Sequence, residues 1–202
     1  MYNTREYIVL IASRLFLQKS YKEVTMKELV DKTGMSKGAF YHYFKSKEQV
    51  FLESLEFFVK ALERKYNSYS KDSLKQFYND YLDETVSLSR GYFLKFENEF
   101  SESQFTINHF SLIFDALKLF PDYRKRIEEL FNNELANWIK IIKVARSKGE
   151  IKTSISDKKL GEMFMYLSDG IGYNMIMRGA DLENMIKPIK DQWDELYEQI
   201  KA

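Results

Sequence analysis

Cysteine is absent from the chain, which excludes a disulfide framework, thiolate chemistry and any cysteine-ligated metal. Histidine occurs only at His42 and His109, too rarely for a multi-histidine metal centre. Glycine and proline are scarce, eight and two in 202 residues. Gly34 and Gly38 are therefore too sparse for a phosphate-cradling nucleotide loop. His109 has no carboxylate one helical turn away, so it reads as a core or pocket residue. No apolar run approaches the roughly 18–20 residues of a membrane span. The opening MYNTREY also lacks the basic-then-apolar layout of a signal peptide. These absences lead us to expect a protein that is not an enzyme, carries no cofactor or metal, avoids membranes and works in the cytoplasm.

What is present is apolar and aromatic material, 45% hydrophobic and 16% aromatic, enough to drive folding and too much for a disordered chain. At this length it can make one large domain or two small ones sharing an interface. The net charge of +1 conceals a division. Residues 1–50 hold nine Lys and Arg against five Asp and Glu, while the remainder holds 22 against 25. A basic head on a mildly acidic body suggests that the head alone meets a polyanion.

The periodicity is helical throughout. Ile8, Ile11, Ala12, Leu15 and Phe16 share one helix face, and Asn3 with Glu6 forms a capping box that starts this helix near Thr4. The helix should fray at Lys19–Lys22. Thr25 with Glu28 is a second capping box, opening a short helix to about Lys32. Gly34 can then take the left-handed turn that ends it. Ser36 opens another short helix to about Phe44, and Ser46 with Gln49 opens a long one. This succession is a helix-turn-helix unit with Ala12, Phe16, Val24, Leu29, Phe40 and Phe44 as its core. Within TGMSKGAFYHYFKSKEQV, whose three lysines stand among aromatics, that core leaves Ser36, Lys37, Ala39, Tyr41 and His42 facing outward. A helix fits the major groove of B-DNA, where lysines neutralise phosphates and small residues permit close approach.

The stretch TMKELVDKTGMSKGAFYHYFKSKEQVF, Thr25–Phe51, resembles the DNA-binding signature of the TetR family of transcriptional repressors. It keeps Thr25, Gly34, Ser36, Gly38, Tyr41, Tyr43, Phe44, Lys47 and Glu48 in register. It departs at Val30 and Thr33, where alanine is usual, and at Met35, where valine is usual. The resemblance implies an all-α fold: a three-helix DNA-binding domain over residues 1–46, then a larger helical effector-binding and dimerisation domain over 47–202. It also implies DNA contacts. Thr25 and Lys47 would bind phosphates at helix N-termini, and Tyr41 and His42 would touch phosphate, sugar or a thymine methyl. Lys37 would read guanine, Gly38 and Ala39 would allow close approach, and Ser36 serves as cap or contact. The partners so implied are a palindromic double-stranded operator, a second copy of the chain and a small-molecule effector.

Beyond residue 70 we expect helices over about 73–89, 92–101 and 105–119, a long one opened by Pro121 and stopped at Gly149, one from Ser156 to Gly179, and a last one from around Asp181 to Ile200. Pro188 either kinks that last helix or marks its start. The resemblance implies that the last two long helices pair with a partner's. Gly161, Ser168 and Gly172 offer small surfaces there, and Trp193 and Tyr197 supply area. The glycines could equally loosen a kinked helix beside a pocket. Phe93, Phe96, Phe100, Phe110 and Phe114, with Trp138, Tyr166 and Tyr173, are candidate lining for a mostly apolar effector, and Glu97 would meet a positive charge if it faces inward. Ordinary core packing explains such stripes too. Two other functions fit the same head: an architectural DNA-binding protein without an effector, and an interaction module whose helix-turn-helix serves only packing. Salt-dependent duplex binding separates the last from the others.

Overall fold

The computed structural model describes residues 3–180 and 182–202. Among these the chain is all-α, with nine α-helices and one 3-10 turn. They are α1 Thr4–Gln18, α2 Met26–Thr33, α3 Lys37–Tyr43, α4 Lys47–Ala61, α5 Leu74–Phe93, α6 Glu102–Leu119, α7 Tyr123–Ser147, α8 Asp157–Met177 and α9 Leu182–Ile200, the 3-10 turn being Tyr66–Ser68.

Local caps set most boundaries. Both arms of the Asn3 box form, Glu6 N–H donating to Asn3 Oδ1 and Asn3 N–H to Glu6 Oε2, each at 3.0 Å. The other two boxes form by half. Thr25 Oγ1 accepts from Glu28 N–H at 3.1 Å, but the Glu28 carboxylate is taken by Lys19 Nζ at 2.5 Å. Ser46 Oγ accepts from Gln49 N–H, while Gln49 Oε1 accepts from Lys45 N–H instead. Gly34 closes α2 at φ 68°, and Gly149 and Gly179 each follow a helix at φ 74°. A side chain is rarely tolerated in that left-handed region.

Three expectations change. α5 runs through Gly91 to Phe93, and no helix spans 92–101; residues 93–99 instead make tight turns, with Phe96 N–H donating to Phe93 O and Glu99 N–H to Phe96 O. The next helix waits for a true cap, Ser101, whose box with Gln104 is complete. Pro121 precedes α7 in a turn rather than opening it. Pro188 lies inside α9 and is not its start, and Asp181, where that helix was expected to begin, lies outside the described residues.

The chain packs as two compact units. One comprises residues up to Glu63 together with Tyr92–Arg124, the other Arg64–Gly91 and Lys125–Ala202. This division differs from the 46/47 boundary expected from the sequence because α1 packs against α4, and α6 against both. In the first unit the expected core is buried, Ala12, Val24, Leu29, Phe40 and Phe44 completely and Phe16 to 2%. Each of the larger side chains contributes on the order of 1.5–3 kcal/mol on burial. Tyr21, beyond α1, joins this core to α6: its ring meets Phe51 at 4.7 Å and Phe120 at 5.2 Å. The second unit is built on Trp138, Phe164 and Trp193. Trp138 stacks on Phe164 at 4.9 Å, and Trp193 stands edge-on to both and donates its Nε1–H to the Phe164 carbonyl at 2.8 Å. Glu150 receives Leu74 N–H and Lys75 N–H at the start of α5, and the Ser73 and Tyr197 hydroxyls as well. A carboxylate there satisfies orphan donors and complements the helix dipole.

His109 is buried within the first unit, among Phe58, Tyr92, Phe96 and Phe105. Its Nδ1 lies 2.9 Å from the Phe105 carbonyl and its Nε2 3.2 Å from the Tyr92 hydroxyl. That pairing suits a neutral ring whose Nδ1–H donates. Burial pushes its pKa down from 6.5 to about 4. The unfolded chain therefore takes up this proton first, so the contribution is complete above about pH 6.5 and is lost as pH falls towards 4. Between pH 7 and pH 5, His109→Gln should lose about 2 kcal/mol less stability than the parent protein in urea melts. Parallel losses would place the charge-sensitive group elsewhere.

Candidate nucleic-acid interface

The short α3 is held at both ends. Ser36 Oγ accepts from Ala39 N–H at 3.3 Å, and Phe40 and Phe44, fully buried, fix its inner face. With that face committed, Ser36, Lys37, Gly38, Ala39 and His42 are exposed and Tyr41 is half-buried. The structure therefore gathers six of the eight sequence-predicted contacts on α3 and its cap. Lys37 Nζ lies 5.9 Å from the Tyr41 ring, near enough for cation–π attraction, while the Lys45 ammonium donates to the Tyr41 carbonyl. Gly38 is informative because nothing lies within 4 Å of where its Cβ would stand, and its φ needs no glycine. Glycine in a helix costs up to about 1 kcal/mol relative to alanine. Nothing within the chain requires that cost, but a flat strip facing a partner would.

Thr25 is exposed at the start of α2, with Oγ1 engaged as its cap. Lys47 stands differently from the expectation. Its Nζ donates to the Tyr21 and Val24 carbonyls, each at 2.8 Å, and sits 4.3 Å from the Tyr21 ring. Two of its three N–H groups are thus committed to bracing the loop before α2, which leaves one for a phosphate.

The expected pocket and interface residues fall out otherwise. Phe93, Phe96 and Phe100 cluster around Phe105, with Phe96 buried, whereas Glu97, Phe110 and Phe114 are exposed. Trp138 is wholly buried in the second unit. Tyr166 and Tyr173, expected to face a pocket, are 64% and 56% exposed on α8. Conversely Gly161, Trp193 and Tyr197, expected to face a partner, are buried inside their own unit. A Cβ on Gly161 would come within 3.1 Å of Leu135 Cδ1 and 3.2 Å of Trp138 Cβ, so this glycine serves the approach of α8 to α7. Ser168 and Gly172 are half-buried, and Ser168 Oγ donates to the Met165 carbonyl. Spacing gives a helix's faces without saying which one the chain itself covers, so Tyr166 and Tyr173 stand outward while Gly161, Trp193 and Tyr197 are covered. Met177, 68% exposed and four residues after Tyr173, lies in line with Tyr166 and Tyr173 on that outward face.

Comparisons with known proteins agree with a DNA-reading head. Residues 8–54 match the family described as bacterial regulatory proteins, tetR family. An uncharacterized HTH-type transcriptional regulator of Bacillus subtilis, YerO, is 35% identical over 72 residues, 36% of this chain and 25% of its own length. The HTH-type transcriptional repressor NemR of Escherichia coli is 37% identical over 68 residues, 34% of this chain and 31% of its own length. The chain thus spans about a third or less of the curated relatives it matches. The structure of a TetR-family transcriptional regulator from Mesorhizobium loti superposes with a TM-score of 0.66 at 17% identity, covering 98% of this chain and 96% of that one, a likeness of fold. What the likeness covers is the helix-turn-helix unit, from α1 to the first half of α4. The likeness to the tetR family is carried by residues 8–54.

The brace at Lys47 has a measurable consequence. Lys47→Met should lower stability by about 1–2 kcal/mol in urea denaturation, because two carbonyls lose a charged donor. An unchanged midpoint would show that the brace contributes nothing in solution.

Proposed function

We propose that the protein is a ligand-responsive repressor that binds a palindromic operator as a homodimer in the cytoplasm and is released by a small, mostly apolar effector. The observation that carries the DNA-binding part is the outward face of α3: a basic, aromatic and glycine-flat strip on a buried, capped frame. Lys37 reads a base, Tyr41, His42 and Thr25 contact the backbone, and Lys47 adds one phosphate bond through its remaining N–H.

Dimerisation finds support on α8. Tyr166, Tyr173 and Met177 recur at spacings of seven and four on one exposed face, with Gly170 open between the tyrosines. The outer face of α9 is instead charged, with Lys187–Asp191 and Lys190–Asp194 pairs. The dimer is accordingly centred on α8. Pairing gives the two half-site contacts that one short helix lacks.

The second unit supports effector binding. Trp138 Nε1–H is buried with no hydrogen-bond partner, beside Phe77 and Tyr81. Arg64 stacks on Tyr81 at 3.6 Å and donates to Thr85 Oγ1, and the Tyr81 hydroxyl donates to Glu134. Aromatic walls with a few polar groups suit a small organic ligand. Such a ligand acts by preferring one separation of the two α3 copies over another, through α4, and DNA then opposes the ligand by the same factor.

The protein should bind duplex DNA with log affinity falling linearly in log salt, roughly 0.9 per phosphate neutralised. Lys37→Ala should narrow the gap between a duplex selected from a random pool and unselected DNA, by about 1–3 kcal/mol. No duplex binding at low salt would remove the DNA-binding reading. A preserved gap would make Lys37 a phosphate contact. Tyr173→Glu should turn the dimer into a monomer in sedimentation experiments, and an intact dimer would place the interface away from α8.

A further inference from the structure

Arg5, in the first turn of α1, makes three contacts that converge on the far end of α3. Its Nη1–H donates to the carbonyl of Tyr43, the last residue of α3, at 3.0 Å. Its Nε–H donates to Glu53 Oε2 on α4 at 2.9 Å, and its Nη2–H to Glu53 Oε1, completing a two-pronged fork. The guanidinium carbon lies 4.5 Å from the Phe44 ring centroid. An isolated exposed ion pair stabilises little, but a bidentate fork with a backbone bond and an aromatic face holds one geometry. The last carbonyls of a helix lack intrahelical partners and carry the negative end of its dipole, so a cation placed there completes the helix. A helix of seven residues needs such external support, because nucleation alone disfavours it.

We infer that Arg5 is a positioning residue for DNA reading: with Glu53 it clamps the C-terminal end of α3 to α1 and α4 and so sets the angle at which α3 meets a groove. This rests on the reading of α3 as the DNA-contacting helix. The start of α3 is fixed by Ser36 and its inner face by Phe40 and Phe44, so loss of the clamp frees the last turn and lets the outward face tilt about that anchored side. Arg5 acts here through α3 and makes no phosphate bond of its own.

The test compares Arg5→Gln, Arg5→Lys, Glu53→Gln and the Arg5→Gln/Glu53→Gln double variant on the duplex that the parent protein enriches from a random pool. Each single variant should weaken binding by roughly tenfold, the double variant should be no worse than the singles, and the salt slope should stay unchanged. Arg5→Lys should fail to rescue, since an ammonium cannot make the fork. A slope reduced by about one in Arg5→Gln, with binding restored in Arg5→Lys and unaffected by Glu53→Gln, would make Arg5 a phosphate contact and overturn the inference. Amide hydrogen exchange in the free proteins supplies an arm that needs no DNA. The Phe44 amide, which donates to the Phe40 carbonyl, should exchange faster in Arg5→Gln and in Glu53→Gln, and unchanged exchange in both overturns the clamp. If the parent protein enriches no duplex, the DNA-binding reading fails on its own, while the exchange result still decides whether Arg5 holds α3. Should Arg5→Gln not fold, Glu53→Gln alone decides both readouts.

Discussion

A helix of seven residues has no business being rigid in water, and everything proposed for this protein requires α3 to be rigid. The constraint is met by the hydrophobic contact of its inner face. Phe40 and Phe44 are sealed into a core that α1, α2 and α4 also share, and Phe16 and Phe51 meet edge to face at 4.9 Å within it. Side chains chosen to face solvent can then be selected for an outside partner, because the frame no longer depends on them. Lysine, histidine, glycine and alanine on one strip would be a poor way to build a helix on its own. They suit a helix that is held by something else.

The same frame extends further than its sequence signature. Tyr21 lies in the loop between α1 and α2, yet its ring touches Phe51 of α4 and Phe120 after α6, and its amide N–H reaches Asp115 of α6. Lys47 ties that loop to the start of α4. The head is therefore gripped by a helix that lies some fifty residues downstream in the chain, and α4 is not its only connection.

Legibility divided along physical lines. Helix starts were readable where a cap between residues three apart was recognised, as Asn3 with Glu6 shows, and the start after Ser101 was misplaced because its box with Gln104 was not. The helix-turn-helix core was readable because its apolar positions have no second use. The complete reciprocity of the Thr25 and Ser46 boxes was not, since Lys19 and Lys45 compete for the same side chains and are placed by the fold. Nor was the role of Lys47, whose carbonyl partners stand more than twenty residues earlier. The unexpected exposure of some pocket candidates and burial of some interface candidates has one cause. Trp193 and Tyr173 look alike in a list of large side chains, and only packing distinguishes the ring that fills its own unit from the ring left outside. Arg5 escaped notice because a single arginine in a first turn has no pattern; its meaning lies in Tyr43, Phe44 and Glu53, remote in sequence and adjacent in space.

Caps made from neighbours three residues apart also bear on how the chain acquires its shape. Asn3, Thr25, Ser36, Ser46, Ser101 and Ser156 each anchor the helix that follows them with a side chain already at hand. Each cap lets its helix be sampled within microseconds of the segment becoming free, although one as short as α3 persists only once its inner face is packed. The slow events are then the few that close long loops, above all the seating of α6 on α1 and α4. On a ribosome, the first four helices emerge and can pack on one another before the segment that locks them has been synthesised.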